Sequence, residues 1–300
     1  MDGVSGPPTP TLTGPRRGSW NTRITVAIVG LAVAVIGVVV GAALTGNGGS
    51  SPGVSSSSSQ LGTTTQYPIG TVDLAEPSGM APPGPHALKG YVETYVNDFT
   101  GSALPAGWES FSGVPGGDPG GQFGTAHVVV AKGRLELNTW RDPAYGNKWV
   151  TVGLSQNGVS KVYGAYFVRS RVTGLGPNEV QLLWPADNSW PPEIDFNESG
   201  RGINGTTATV HWGSLNNIEQ HSVVAHLTSW HTWGVVWAQH SIVFTLDGRE
   251  WATVTTKGAV PHVPMNLDLE QRAMCSFGFD CPTKPVSMYV DWVAEYTAHQ

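Results

Sequence analysis

Residues 241–246 place Ile242, Phe244 and Leu246 on one side of an extended chain. The run stops at Asp247-Gly248, and alternation resumes through residues 249–254. A side-chain period of two on both sides of Asp-Gly predicts a β-hairpin, because a two-residue turn of the favoured hand needs positive φ at both positions. The same period recurs at 134–138, at 161–172 with Val162, Tyr166, Val168 and Val172 on one side, and at 286–293. No helical period longer than a turn or two is present, and no internal repeat. In a chain with 39 glycines and 22 prolines, such runs read as all-β: an antiparallel two-sheet sandwich of jelly-roll type.

That fold accounts for only part of the chain. Residues 24–44 are an uncharged run of Ile, Val, Ala, Leu and Gly with one Thr. As a helix it matches the ~30 Å core of a bilayer. Arg16, Arg17 and Arg23 precede it, and no Lys or Arg follows before Lys89. This asymmetry predicts a cytoplasmic tail (1–23), a signal-anchor transmembrane helix (24–44) and an extracellular remainder. A signal peptide cleaved near Gly41-Ala42-Ala43 is the rival reading, for which the apolar run is long; the product would then be secreted. Residues 45–88 are rich in Ser, Gly, Thr and then Pro, and read as a linker. Residues 89–300 are expected to form a single all-β domain.

The net charge of −6, with 13% charged residues, lacks the basic footprint of a nucleic-acid binder, and a monomer is expected. The two cysteines, Cys275 and Cys281, cannot build a tetrahedral zinc site alone. A short-loop disulfide suits an exported domain, and two reduced thiols are the alternative.

The chemistry is concentrated in Glu193-Ile194-Asp195-Phe196-Asn197-Glu198, three carboxylates in six residues. A half-buried strand does not normally carry such a set, because desolvating carboxylates is costly. Glu193 and Asp195 share a face of a strand. Glu198 lies an odd number of residues beyond Glu193 and would point the other way. One β-bulge near Phe196-Asn197 would restore its parity. Two carboxyls about 5–5.5 Å apart can act as nucleophile and acid/base in glycoside cleavage with retention. A solvated edge strand or a calcium loop are the bland readings; the Gly-centred EF-hand spacing is absent.

Eleven of the twelve tryptophans follow residue 100, and flat indoles suit the apolar faces of sugar rings. Trp184 and Trp190 stand just before the acids, and His211-Trp212 falls on a neighbouring strand. These are assigned to substrate. Trp233, Trp237 and Trp292 lie in strongly alternating strands and are assigned to the core. No Gly-x-Ser-x-Gly or His-Glu-x-x-His pattern is present. Asn197-Glu198-Ser199 and Asn204-Gly205-Thr206 match the glycosylation acceptor pattern, but the first overlaps the acidic strand.

Taken together, these motifs resemble glycoside hydrolase family 16, the laminarinase and lichenase group. Glu193-Ile194-Asp195-Phe196-Asn197-Glu198 matches its bulged Glu-x-Asp-x-x-Glu hallmark. Tyr163-Gly164-Ala165-Tyr166-Phe167, Leu182-Leu183-Trp184-Pro185-Ala186, Thr209-Val210-His211-Trp212-Gly213, residues 230–237 with the Asp247-Gly248 hairpin, and Tyr289-Val290-Asp291-Trp292-Val293 follow in family order, over about residues 95–297. The resemblance implies a curved, concanavalin-like jelly roll and a retaining endo-hydrolase of β-linked polysaccharide, β-1,3- or β-1,3-1,4-glucan first. It implies Glu193 as nucleophile, Glu198 as acid/base and Asp195 as the assisting acid. It implies Gln271 in the cleft, no required cofactor, and in some members a structural calcium, here through Asp291. Two departures stand out. The family's Gly-rich ending after residue 271 is replaced by Arg272-Ala273-Met274-Cys275, and Pro191-Pro192 abuts Glu193 where Gly is frequent. A transglycosylase remodelling envelope polysaccharide and a non-catalytic carbohydrate-binding domain are the alternatives.

Overall fold

The computed structural model describes residues 66–200, 202–275 and 281–299. The expected tail, the membrane helix at 24–44 and the first part of the linker lie outside the described residues. Among the described residues no helix is long and apolar enough to cross a membrane.

In chain order the strands are β1 (Thr71–Val72), β2 (Met80–Ala81), β3 (Tyr91–Asn97), β4 (Trp108–Ser110), β5 (Val128–Ala131), β6 (Arg134–Asp142), β7 (Lys148–Val150), β8 (Val152–Lys161), β9 (Gly164–Val172), β10 (Asn178–Pro185), β11 (Glu193–Ser199), β12 (Thr206–Trp212), β13 (Asn217–Val223), β14 (His231–Ala238), β15 (Ser241–Leu246), β16 (Arg249–Val254), β17 (Met265–Arg272) and β18 (Val286–Ala298). The front sheet runs β13-β12-β11-β10-β17-β8-β4. The back sheet runs β16-β15-β14-β9-β18-β6-β5, with β3 on β18 and β7 on β6. Neighbouring strands pair antiparallel throughout both sheets, as the alternating runs predict.

The core lies between the sheets. Leu183, Ile194, Phe196 and Val210 of the front sheet meet Tyr166, Val168, Trp233, Val235 and Phe244 of the back sheet. The β15–β16 hairpin closes as expected, with Leu246 paired to Arg249 and positive φ at Asp247 (49°) and Gly248 (76°). Trp233 and Trp237 fill the inter-sheet core. Trp292 is also buried, but on the outer side of the back sheet, with Phe167 and Tyr296.

That outer cluster corrects the domain boundary. Residues 66–88, which composition assigns to the linker, are laid over the back sheet. Tyr67 and Leu88 pack on the Trp292 cluster. The backbone of this strap is held at several points. Gly248 O accepts from the amides of Gln66 and Tyr67 at 2.7 and 3.0 Å. Thr232 Oγ1 donates to Ile69 O at 3.1 Å, Trp292 Nε1 to Met80 O at 3.0 Å, and Tyr296 OH to Gly84 O at 3.0 Å. Prolines suit this role, since a strap that mainly offers carbonyls to the sheet loses little by lacking amide donors. The folded domain therefore includes Gln66 and does not start at Lys89.

Candidate active site

The acidic strand β11 lies between β10 and β12. Asp195 pairs with Thr209 and Glu198 with Thr207, so Phe196 and Asn197 together oppose the single residue Ala208. The β10 register shifts at the same place, from Asp195–Leu182 to Asn197–Gln181. This is the bulge that parity required. Ile194 and Phe196 turn into the core, while Glu193, Asp195 and Glu198 share the front face. There Glu193 and Glu198 act electrostatically on Asp195, and all three carboxylates act on Arg272.

Buried polar contacts hold the bulge from behind. Asn197 Nδ2 donates to Glu179 Oε1 at 2.5 Å, and Thr206 Oγ1 donates to Asn197 Oδ1 at 2.7 Å. Ser170 Oγ and Gln181 Nε2 also donate to Glu179 Oε1, at 3.2 and 3.1 Å. Burial pushes the Glu179 carboxyl up to about 7, against these hydrogen bonds. Asn178 Nδ2 donates to Ser199 O, and Glu179 N donates to Ser199 Oγ at 2.7 Å, fixing the far end of β11.

On the front face Trp190 Nε1 donates to Glu193 Oε2 at 2.7 Å. His211 pairs in register with Glu193. Its Nδ1 contacts Asn216 Oδ1 at 2.9 Å, and its Nε2 lies 3.6 Å from Asp195 Oδ2. Donor atoms of Glu193, Asp195 and His211 fall within 4.8 Å of one another. Burial drives Asp195 well above the usual carboxylate range, and the charges of Glu193 and Glu198 add to the shift while Arg272 opposes it. A protonated Asp195 can donate a hydrogen bond to Glu193.

The structure sorts the remaining candidates by strand parity. Trp190 is 39% exposed beside Glu193, with its ring 6.0 Å from His211. Trp184 is on the same side of β10 as Leu182 and Val180, the partners of Asp195 and Glu198; its Nε1 donates to Asn188 Oδ1 at 3.2 Å. Trp212 does not join the site: it packs on the inter-sheet core, opposite His211. Gln271 does not join it either. It is fully buried and hydrogen-bonded at 2.7 Å to Thr139 of the back sheet.

The neighbours of Gln271 take the front face instead. Asp268 pairs across Leu182, Glu270 across Val180 and Arg272 across Asn178. From sequence, Arg272 stands only as a departure from the family pattern, and Asp268 and Glu270 are not assigned to the site. The signal was the apolar set Met265, Leu267 and Leu269, which must face the core and so turns the intervening residues outward. Ser155 Oγ donates to Asp268 at 2.5 Å. Burial raises Asp268 well above the usual range and Glu270 to about 7; Arg272 opposes the shift of Glu270, while the charges of Glu193 and Glu198 add to it. Cys275 and Cys281 form a disulfide just beyond β17.

Asp291 lies on the back sheet, at a bulge where the β18–β9 register shifts between Val290 and Trp292. Its Oδ2 accepts from Ser78 N at 3.1 Å, while its buried Oδ1 has no hydrogen-bond partner among the described residues. Burial raises this carboxyl, and Asp98 adds to the shift; Glu76 is also raised by burial, with Asp291, Asp98 and Asp73 adding to it. An unpartnered carboxylate oxygen near two further acids fits a hard cation such as calcium.

Residues 162–293 match the family described as "Glycosyl hydrolases family 16". Two endo-1,3-1,4-beta-glycanases of Rhizobium meliloti (strain 1021) are similar in sequence. ExsH is 41% identical over 115 residues, covering 36% of this chain and 24% of that protein. EglC is 32% identical over 145 residues, covering 46% and 31%. The chain thus spans about a quarter to a third of the curated relatives it matches. The fold is similar to that of SCLam, a non-specific endo-beta-1,3(4)-glucanase, with TM-score 0.62 and 18% identity over 70% of this chain and 92% of that one. It is similar also to the laminarinase from Rhodothermus marinus, with TM-score 0.62 and 19% identity over 70% and 98%.

Proposed function

We propose that this chain, whose residues 162–293 belong to glycosyl hydrolases family 16, is a retaining endo-glycosidase of β-linked glucan, β-1,3-1,4- or β-1,3-linked. The observation that carries the reading is the bulge at Phe196-Asn197, which sends Ile194 and Phe196 inward and leaves all three acids on one face. The sequence similarity to two endo-1,3-1,4-beta-glycanases supports the linkage.

In this reading Glu193, held by Trp190 Nε1 and by the proton of Asp195, attacks the anomeric carbon. Glu198 gives its proton to the departing glycosidic oxygen. Water then attacks the same carbon, Glu198 takes a proton from it, and the Glu193 ester bond breaks. These steps use side chains of this chain alone. The enzyme works as a monomer outside the cell, anchored through residues 24–44; the charge asymmetry around that run supports this placement.

Product analysis on laminarin, lichenan, agarose and carrageenan tests the reading. The parent should release oligosaccharides from lichenan or laminarin. Glu193→Gln should lose turnover while keeping its melting temperature. A Glu193→Gln variant as active as the parent would sink the assignment.

A further inference from the structure

Arg272 occupies the place of the family's Gly-rich ending, and its guanidinium is held on every side. Nε donates to Asn178 Oδ1 at 3.1 Å and Nη1 to Gly116 O at 3.2 Å. Those neutral acceptors fix its plane. Nη2 donates to Glu198 Oε1 at 2.9 Å, while Nε stands 3.7 Å from Glu270 Oε2. One cation thus lies between two carboxyls, one of which is the acid/base of the reading above.

We propose that Arg272 is a positioning residue that shares its charge between Glu198 and Glu270 through the catalytic cycle, serving Glu198 when it is a carboxylate and Glu270 when Glu198 carries its proton. This rests on the assignment of Glu198 as acid/base. In the first step Glu198 transfers a proton to the glycosidic oxygen while the C–O bond breaks and the Glu193–carbon bond forms. Glu198 becomes an anion at that moment, and Nη2 is already in place to meet it. In the second step Glu198 accepts a proton from the attacking water, and the guanidinium is left with Glu270 as counter-ion. A carboxylate–guanidinium hydrogen bond made in advance requires no reorganisation when the charge develops.

The surroundings of Glu198 leave few other groups for this role. From β17 it faces Arg272 and Glu270; from its own strand Glu193 and Asp195 act on the same cluster. The strand partners on either side, Val180 of β10 and Thr207 of β12, carry no charge. His211 of β12 is turned to Asp195. Arg272 is therefore the cation that contacts the acid/base among the described residues. Burial, helped by the charges of Glu193 and Glu198, pushes Glu270 up to about 7 against the pull of Arg272.

The test is the pH profile of kcat/KM for the full chain with Arg272→Met, Arg272→Lys and Glu270→Gln. Loss of the guanidinium makes Glu198 keep its proton longer. The alkaline decline of Arg272→Met should move to higher pH, with kcat/KM at the parent optimum down about tenfold, the scale of one charged hydrogen bond. Glu270→Gln leaves the cation wholly to Glu198, so its decline should move to lower pH. Arg272→Lys should fall between the parent and Arg272→Met. An Arg272 that only pins the Gly116 segment would change KM or melting temperature and leave all three declines superimposed on the parent, which would overturn the proposal. A readout free of turnover separates this from failure of the glycosidase reading. Carbodiimide modifies protonated carboxyls, and peptide mass spectrometry follows Glu198 against pH. Persistence of its labelling to higher pH in Arg272→Met sustains the proposal even in a protein that cleaves no glucan. Unchanged labelling overturns it even in one that does.

Discussion

Asn197 Nδ2 donates to Glu179 Oε1 at 2.5 Å, joining the bulged residue of the acidic strand to a carboxyl buried beneath it. The bulge that aligns the acids is thus fastened to the interior by a side chain of the bulge itself.

Asn197→Ala should strip that fastening. It leaves Thr206 without its acceptor and removes a donor from Glu179, each costing about 1–3 kcal/mol when buried. The expected result is a lower melting temperature together with a fall in kcat larger than the change in KM, as Glu198 loses its register. Calorimetry and steady-state kinetics on one preparation check both. A stable variant with normal kcat would show that the bulge does not depend on Asn197.

Glu179 also gives stability a definite pH slope. Its folded value of about 7 lies above the ordinary 4.5 of a free glutamate. Between these limits the folded state holds a proton that the unfolded state has released, so stability falls as pH rises. The contribution is complete below about pH 4.5 and gone above about 7, with a size of about 3 kcal/mol. Glu270 acts with the same sign. Urea denaturation should give a higher midpoint at pH 5 than at pH 8, and Glu179→Gln should flatten the difference. An equal midpoint at both pH values in the parent would contradict this.

Trp190→Phe keeps an aromatic face and removes the hydrogen bond to Glu193. A hydrogen bond to a charged group is worth about 1.5–3 kcal/mol, so with Glu193 in its proposed role kcat/KM should drop roughly tenfold to a hundredfold. A variant within twofold of the parent would mean that Asp195 alone holds the nucleophile.

Gln271→Ala and Asp291→Asn test two residues for structure rather than chemistry. Gln271 bridges the sheets through Thr139, so its loss should lower the melting temperature and leave KM unchanged. Calcium should raise the melting temperature of the parent, a chelator should reverse that, and Asp291→Asn should abolish the response. A calcium effect that survives in Asp291→Asn would place the ion elsewhere.

A chain starting at Lys89 would lack the strap that covers Trp292, Phe167 and Tyr296. Its expression should yield aggregated or markedly less stable protein than a chain starting before Gln66, as judged by gel filtration and thermal melting.

Much of the architecture was readable from side-chain period. The Asp247-Gly248 turn and the parity of the acidic strand each followed from local steric rules, and each left a trace in a single stretch of residues. Gln271 and Trp212 were misplaced for a different reason. Which face a strand buries is decided by the partner sheet, and in both cases a polar or aromatic residue of apparently functional type sits one place from the residue that faces outward. The strap at 66–88 was hidden because its attachment relies largely on carbonyl oxygens, which every residue carries regardless of composition.

The attachment of Gln66 and Tyr67 to the Gly248 turn also sets a length scale. Covalent geometry allows at most ~3.5 Å per residue, so residues 45–65 can extend no further than about 75 Å. A linker running to residue 88 would allow about twice that. On the proposed reading, with an anchor at 24–44, an outward-facing domain and a glucan substrate, only glucan that comes within that radius would be cleaved.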